Sequence, residues 1–103
     1  MKNITFLFLI CVSFISQGAL ADEMPSIERG QQLFNSTLFA GATSGKSCAS
    51  CHRGGADLQL AWVNPNLAGQ VNNCIIGPLR GVPLDEDSME MQSILLYIQS
   101  LKQ

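Results

Sequence analysis

Apolar residues recur at helical spacing at two places in the chain, and the first lies near residue 30. Ser26 is a suitable N-cap for a short helix over residues 27–34, and Glu28 falls in its first turn, where the helix dipole favours an acid. Gly30 is costly inside a helix, so we expect another element to approach closely there.

The second helical pattern runs to the end of the chain. Apolar residues repeat at intervals of three and four, at Met91, Ile94, Leu95, Ile98 and Leu101. Leu84, followed by the acids and serine at 85–88, predicts where this helix begins, with the acids in its first turn. We therefore expect an amphipathic helix whose apolar stripe is ordinary core.

The segments between these helices show no sustained periodicity. Residues 35–47 are rich in Gly, Ser and Thr and predict a loop, followed by a turn or short helix at 48–52. Residues 53–83 contain the other midchain glycines and prolines and predict loops with a short helical piece. Because no strand signal is strong, the sequence predicts an all-α fold with a loop-rich middle.

The N-terminal end is typical of a secretory signal peptide. Lys2 precedes an apolar run over residues 4–15, and the small-residue tripeptide at 19–21 comes just before Asp22. The run is shorter than the roughly 20 apolar residues that span a bilayer. We expect cleavage after Ala21, which removes Cys11 and leaves a periplasmic or secreted domain over residues 22–103 without a membrane anchor.

The expected mature domain is small and mildly acidic. From Asp22 onward, five basic residues stand against eight acidic ones, with no basic patch, so nucleic acid is not an expected partner. A domain of this size is near the limit at which a hydrophobic core alone suffices. We therefore expect a staple, a metal or a cofactor to complete the core.

Candidate chemistry is concentrated in the motif Cys-Ala-Ser-Cys-His at positions 48–52. This spacing is the attachment pattern for c-type haem. Cys48 and Cys51 on one helical turn can reach the two vinyl groups at one edge of the porphyrin, and His52 can then bind the iron. The pattern predicts one covalent haem.

Two other uses of a Cys-x-x-Cys pair fit this sequence less well. A zinc ribbon needs four ligands, and after Cys74 the chain has no residues to complete a second pair. A thioredoxin-like redox pair needs a βαβ setting, which this chain is too short and irregular to supply.

Residues 26–103 resemble the cytochrome c family. In that family an N-terminal helix with a glycine and an aromatic one turn later crosses a C-terminal helix that carries an aromatic, and Gly30, Phe34 and Tyr97 match those positions. The resemblance implies a small cytochrome c fold, with its two terminal helices crossing and the middle wrapped round the haem.

The chain departs from the common members of that family at the sixth iron ligand, which is usually a methionine in a loop before the last helix. Cys74 stands there instead, in a predicted loop over residues 72–78. From Cys74 to Ile98 the chain is similar to haem domains of thiosulfate dehydrogenases and SoxA-type sulfur-oxidising cytochromes. Those families place a cysteine on the iron, and the match implies Cys74.

Two alternatives stay open at this stage. The pair Asn73-Cys74 and the glycine-rich loop before the motif also resemble asparagine-ligated, oxygen-binding haem proteins, which implies Asn73 as an openable ligand. Alternatively, Cys74 is a buried small residue or links two chains, and the iron is five-coordinate or bound by Met89. The odd number of cysteines after cleavage favours ligation or linkage.

Two further sets of residues could contact the haem. Trp62, Asn64, Pro65 and Leu67 either line its pocket or are ordinary core. Arg53 and Arg80 could neutralise the haem propionates, although solvated arginines are the default.

The sequence thus favours an electron carrier over an enzyme. The resemblance implies a redox partner protein in the oxidation of sulfur compounds. The alternative is a gas-binding or redox-catalytic haem protein whose sixth ligand position opens.

Overall fold

The computed structural model describes residues 24–103. The expected signal peptide, Cys11 and the cleavage point after Ala21 lie outside the described residues. Within 24–103 the chain forms four α-helices and no β-strand: α1 Ile27–Asn35, α2 Cys48–Cys51, α3 Leu67–Ile76 and α4 Met89–Ser100. Short 3-10 turns connect them at Phe39–Gly41, Arg53–Gly55 and Ala61–Val63. The all-α prediction is confirmed for this part of the chain.

Helix α1 begins and packs as its sequence predicts. The Ser26 hydroxyl accepts a hydrogen bond from the Arg29 N–H, which satisfies one of the free donors at the helix start. Leu33 and Phe34 are buried, while the glutamines at 31 and 32 are exposed. The amphipathic pattern therefore directs one side of α1 onto the core.

Helices α1 and α4 cross at Gly30, as expected. A Cβ atom at Gly30 would overlap the backbone carbonyl of Ser93 and lie 2.8 Å from the Cβ of Tyr97. Next to this crossing the rings of Phe34 and Tyr97 are 5.0 Å apart, tilted by 59°. Only glycine permits this approach, because any side chain would separate the two backbones.

The stripe along α4 is core, as predicted. Met91, Ile94 and Ile98 are buried, and Leu95 and Leu101 pack against them. The predicted start of the helix at residues 84–85 is wrong, because α4 begins at Met89. Ser88 is the N-cap, and the Asp85 side chain instead accepts from the Asp87 N–H, which closes a separate turn before the helix.

The largest departure from the prediction is α3. Residues 72–76 belong to a ten-residue helix, so the predicted loop over 72–78 is wrong for most of its length. Val71 and Ile75 bury one face of α3 in the core, and this packing overrides the low helix propensity of the two asparagines.

Backbone hydrogen bonds hold the long loop after α1 against the segment that follows α3. The Val82 N–H donates to the Ala40 carbonyl, and the N–H groups of Thr43 and Ser44 both donate to the Leu79 carbonyl. None of the helices in residues 24–103 is long and apolar enough to cross a membrane. The four helices and these hydrogen-bonded loops together enclose the candidate site.

Candidate functional site

Helix α2 is a single turn that carries both cysteines of the motif. Ser47 precedes it and Ser50 lies between the cysteines: the Ser47 hydroxyl accepts from the Ser50 N–H at 3.2 Å, and the Ser50 hydroxyl accepts from the Ser47 N–H at 2.8 Å. This reciprocal cap stabilises a helix that is too short to persist alone. It therefore fixes the relative positions of Cys48 and Cys51.

His52 ends this helix and turns away from it, with φ −122° and ψ 62°. The Nδ1 atom of its ring lies 2.9 Å from the carbonyl oxygen of Ala56. Because a carbonyl oxygen only accepts, Nδ1 is the donor, and in the neutral imidazole the lone pair is then on Nε2. This is the usual arrangement of a histidine that ligates a metal through Nε2.

A tight turn after the motif places the carbonyl that orients His52. Gly54 and Gly55 have φ values of 63° and 81°, a region that favours glycine. A Cβ atom at Gly55 would also overlap the side chain of Leu101, so α4 packs directly on this turn. The available sequence signal for this turn is the Gly-Gly pair that closely follows the motif.

The motif opens onto an apolar pocket of about 670 Å³, measured with the open space at its mouth. Residues from all four helices and the connections between them line it: Phe34, Ser47, Cys48, Cys51, His52, Leu58, Leu67, Gln70, Val71, Cys74, Pro78, Leu79, Ile94 and Ile98. Mostly apolar side chains therefore surround the cysteines and histidine of the motif.

Cys74 lies on the pocket face of α3. Leu67, Val71 and Cys74 follow one another at helical spacing and all line the cavity. Cys74 is half-buried and, like Cys48 and Cys51, a free thiol. Burial, followed by the charge that Cys74 would carry as a thiolate, raises the pKa of Cys48 to about 11.

The other candidate ligands lie outside the pocket. Asn73 is exposed, and Met89 is half-buried at the start of α4 without lining the cavity. Met91 is fully buried in the core. Among the alternatives for the sixth ligand, the structure therefore brings only Cys74 together with the motif.

Asn72 is a residue whose role the sequence analysis missed. Its carboxamide donates to the Leu84 carbonyl at 2.9 Å and accepts from the Leu84 N–H at 2.8 Å. This clamp fastens α3 to the segment that leads into α4. It therefore fixes the helix that carries Cys74, two residues further along.

The residues expected near the haem divide into two groups. Leu67 lines the pocket, but Asn64 and Pro65 are exposed, and Trp62 is 39% exposed. The Lys102 ammonium instead lies 4.0 Å from the centre of the Trp62 ring, a cation–π contact. The prediction that these three residues line the pocket or lie in the core is wrong, because the turn at Ala61–Val63 runs along the surface.

The two arginines also differ. Both are exposed, but Arg80 lines a polar cleft with Thr43, Ser44 and Lys46, and Arg53 does not. Pro78 lines both this cleft and the apolar pocket, so the two adjoin. The cleft therefore presents two cationic side chains beside the apolar site.

Within residues 24–103, no three His, Cys, Asp or Glu side chains form a group able to hold a metal ion on their own. The motif side chains and Cys74 are instead distributed around the pocket. Comparisons with protein-family models, with curated proteins and with solved structures find no match to this chain.

Proposed function

We propose that this chain is an exported c-type cytochrome that carries one covalent haem and transfers electrons. The observation that carries the proposal is the composition of one apolar pocket: it is lined by Cys48, Cys51, His52 and Cys74. These are two attachment thiols and two axial ligands, the set that such a haem requires.

The geometry of the attachment turn supports this use. The reciprocal serine cap holds Cys48 and Cys51 on one turn, where both sulfurs can form thioether bonds to one edge of a porphyrin. The bond from His52 Nδ1 to Ala56 leaves Nε2 to donate its lone pair to iron. The chain thus orients this ligand without help from the cofactor.

The pocket lining supports haem over a bare ion. Apart from the three cysteines, His52, Ser47 and Gln70, its side chains are apolar, as a porphyrin face requires. When bound, haem supplies one-electron chemistry at its iron. The apolar residues of α3 and α4 would exclude water from it, and burial of this kind tunes a reduction potential.

We assign the second axial position to Cys74. It is the candidate that lines the pocket, and ligation would account for a thiol kept free in an oxidising compartment. An anionic sulfur ligand stabilises ferric iron and therefore lowers the potential. The protein would be a low-potential carrier.

The contacts between the terminal helices support the cytochrome c fold within the all-α class. Gly30 lets α1 touch α4, and Phe34 and Tyr97 pack beside that contact, as the resemblance implies. Beside the pocket, Arg80 and Lys46 are suited to pair with haem propionates by charge-assisted hydrogen bonds. Arg53, which is exposed and lines neither cavity, is not part of this assignment.

The working context follows by analogy. We place the protein in the periplasm or outside the cell, with a redox partner protein that oxidises sulfur compounds, because the segment from Cys74 to Ile98 resembles haem domains of such systems. We favour the role of a carrier or a small subunit over that of an enzyme.

Spectroscopy of the exported protein tests the assignment. Absorption and electron paramagnetic resonance spectra would be recorded for the ferric form, and absorption for the ferrous form with and without carbon monoxide. Wild type would be compared with Cys74→Ala, and Asn73→Ala serves as the matched control at the neighbouring exposed position.

We expect a low-spin ferric thiolate signal that Cys74→Ala abolishes and Asn73→Ala leaves unchanged, with no carbon monoxide binding to the wild type. A signal that survives in Cys74→Ala would remove Cys74 from the iron. Carbon monoxide binding to the ferrous wild type would contradict the carrier role and support the gas-binding alternative.

A further inference from the structure

The carbonyl that orients His52 belongs to a segment held mainly by side-chain packing. In the described structure, the turns over residues 53–64 make backbone–backbone hydrogen bonds only between positions three apart. The bond from His52 Nδ1 to the Ala56 carbonyl is itself exposed to solvent, so water competes for both groups. The position of the Ala56 carbonyl therefore depends on what packs against this segment.

The backbone beside Ala56 also needs outside support. Gly54, Gly55 and Asp57 have φ values of 63°, 81° and 68°. Such values suit glycine but are uncommon for a residue with a Cβ atom, and they persist where the surrounding structure holds them. The local sequence alone therefore does not fix this turn.

Two residues that follow α4 supply the packing. A Cβ atom at Gly55 would overlap both δ-methyl groups of Leu101, so the Leu101 side chain covers this buried glycine. Leu101 is itself half-buried against the core. Further along the same segment, the Lys102 ammonium lies 4.0 Å from the centre of the Trp62 ring. Adjacent residues thus contact the segment on both sides of its middle.

We propose that Leu101 and Lys102 are positioning residues for His52. Leu101 holds Gly55 and, with it, the neighbouring Ala56 carbonyl, to which the His52 Nδ1–H donates. Lys102 fastens the same segment through Trp62. Without these contacts the turn moves, the ring is released, and the proton is no longer kept on Nδ1. The use of this support for an iron ligand rests on the proposed function.

The tautomer of His52 tests the positioning directly. His52 is the only histidine in the sequence, so a two-bond ¹H–¹⁵N correlation spectrum shows without overlap which ring nitrogen carries the proton. The untagged chain would be exported by a host that lacks haem-attachment machinery and kept reduced. Spectra would be recorded at about pH 9, above the range in which histidines usually titrate. The same chain in concentrated urea provides the spectrum of a free ring.

Four variants separate positioning from general stability. Leu101→Ala removes the cover from Gly55, and Leu101→Met restores a side chain of similar size. Leu96→Ala removes the same atoms from an exposed position on α4. Asn72→Ala weakens the fold at a clamp that does not involve the turn. A further variant, Lys102→Gln, removes the cation from its aromatic partner.

We expect the proton on Nδ1 in the wild type, Leu101→Met, Leu96→Ala and Asn72→Ala. The Leu101→Ala spectrum should move most of the way to the urea reference, and Lys102→Gln part of the way. A wild-type spectrum equal to the urea reference, an unchanged spectrum in folded Leu101→Ala, or an equal shift in Asn72→Ala would overturn the proposal. An unchanged spectrum in Lys102→Gln would overturn the part assigned to Lys102. If circular dichroism shows that Leu101→Ala does not fold, that last result overturns the whole proposal.

The tautomer measurement needs no haem, which keeps it separate from the proposed function. Haem on tryptic peptide 47–53, released by cleavage after Lys46 and Arg53, tests the cytochrome assignment by itself. Attached haem with an unchanged tautomer in Leu101→Ala would remove only the positioning role. A tautomer that responds as expected, in a chain that takes up no haem, would remove the proposed function and leave the positioning role standing.

Discussion

Replacement of Gly30 by alanine tests the contact on which the helix crossing depends. The added methyl group would overlap the Ser93 carbonyl and lie 2.8 Å from the Tyr97 Cβ. Because the first obstacle is backbone, no rotamer change relieves it, and α1 must move away from α4. The Phe34–Tyr97 ring pair, with centroids 5.0 Å apart, separates with it.

The expected change in the free energy of unfolding for Gly30→Ala combines two unfavourable contributions and one favourable one. Overpacking against an immovable neighbour costs about 3 kcal/mol, the upper end of the usual range. Loss of an aromatic pair adds about 1 kcal/mol, and alanine regains about 1 kcal/mol over glycine in a helix. We expect the free energy of unfolding to fall by about 3 kcal/mol, which lowers the Tm of a domain this size by about 12–24 °C.

Gly69→Ala is the matched control. Gly69 also lies within a helix, but the three atoms nearest to a Cβ there all belong to the side chain of exposed Asn66, which can move aside. We expect this variant to be neutral or more stable by up to about 1 kcal/mol. Urea unfolding followed by far-UV circular dichroism, with all proteins in the same haem state, measures both. A Gly30→Ala variant within about 0.5 kcal/mol of wild type would refute the packing argument.

Three further outcomes are expected. Asn72→Ala removes both hydrogen bonds to the Leu84 backbone and should lower the free energy of unfolding in urea by about 2 kcal/mol. The control Asn73→Ala should stay within about 0.5 kcal/mol of wild type, and equal effects of the two variants would contradict the role of the clamp. Ser47→Ala breaks the reciprocal cap of α2 and should lower the free energy of unfolding by about 1–2 kcal/mol in the same assay. An unchanged unfolding midpoint would contradict a stabilising role for this cap. In the haem-free chain at about pH 8, iodoacetamide should modify Cys48 about a hundredfold more slowly in the folded protein than in the protein unfolded by urea. The reason is that the pKa of about 11 in the folded protein leaves little thiolate. Similar rates in the two states would contradict the burial of Cys48. Folding raises the pKa of Cys48, so the fold favours the neutral thiol. The contribution of this thiol to folding stability is complete below about pH 8.5 and is lost as the pH rises through about 11.

The sequence predicted the elements whose signals are local. Ser26 marks the start of α1 because its hydroxyl caps that helix, and the stripe from Met91 to Leu101 identified the core face of α4. The short helix at the motif was also foreseen. Gly30 was the one long-range contact that could be inferred, since a glycine in a helix interior needs a reason.

The rest depended on partners distant in sequence. The glycines and prolines around α3 predict a loop there. The helix is instead secured from a distance, because the Asn72 carboxamide bonds to the backbone of Leu84, twelve residues away. The apolar spacing of Leu67, Val71, Cys74 and Ile75 was a signal for this helix.

The start of α4 was placed too early for a related reason. Asp85 and its neighbours have the composition of a first helical turn, but a carboxylate can equally close a turn of its own. Ser88 makes the actual cap. Composition alone does not separate these two uses of an acid.

The candidate site divides in the same way. The spacing of the motif at 48–52 was enough to predict three residues of the candidate site. The orientation of His52 could not be predicted, because it depends on where the chain returns to place the Ala56 carbonyl. Likewise, Cys74 was a candidate among several until α3 directed it into the pocket with the motif.

The central claim is that Cys48 and Cys51 hold a haem covalently, and the mass of tryptic peptide 47–53 tests it most directly. The protein would be exported together with haem-attachment machinery, denatured, extracted with acidic organic solvent to remove any unbound haem, and digested. We expect a peptide 47–53 that carries the mass of one haem, and no modification of this peptide in a Cys48→Ala, Cys51→Ala double variant. An unmodified 47–53 peptide from the wild type, in a host that attaches haem to a known c-type cytochrome, would contradict it.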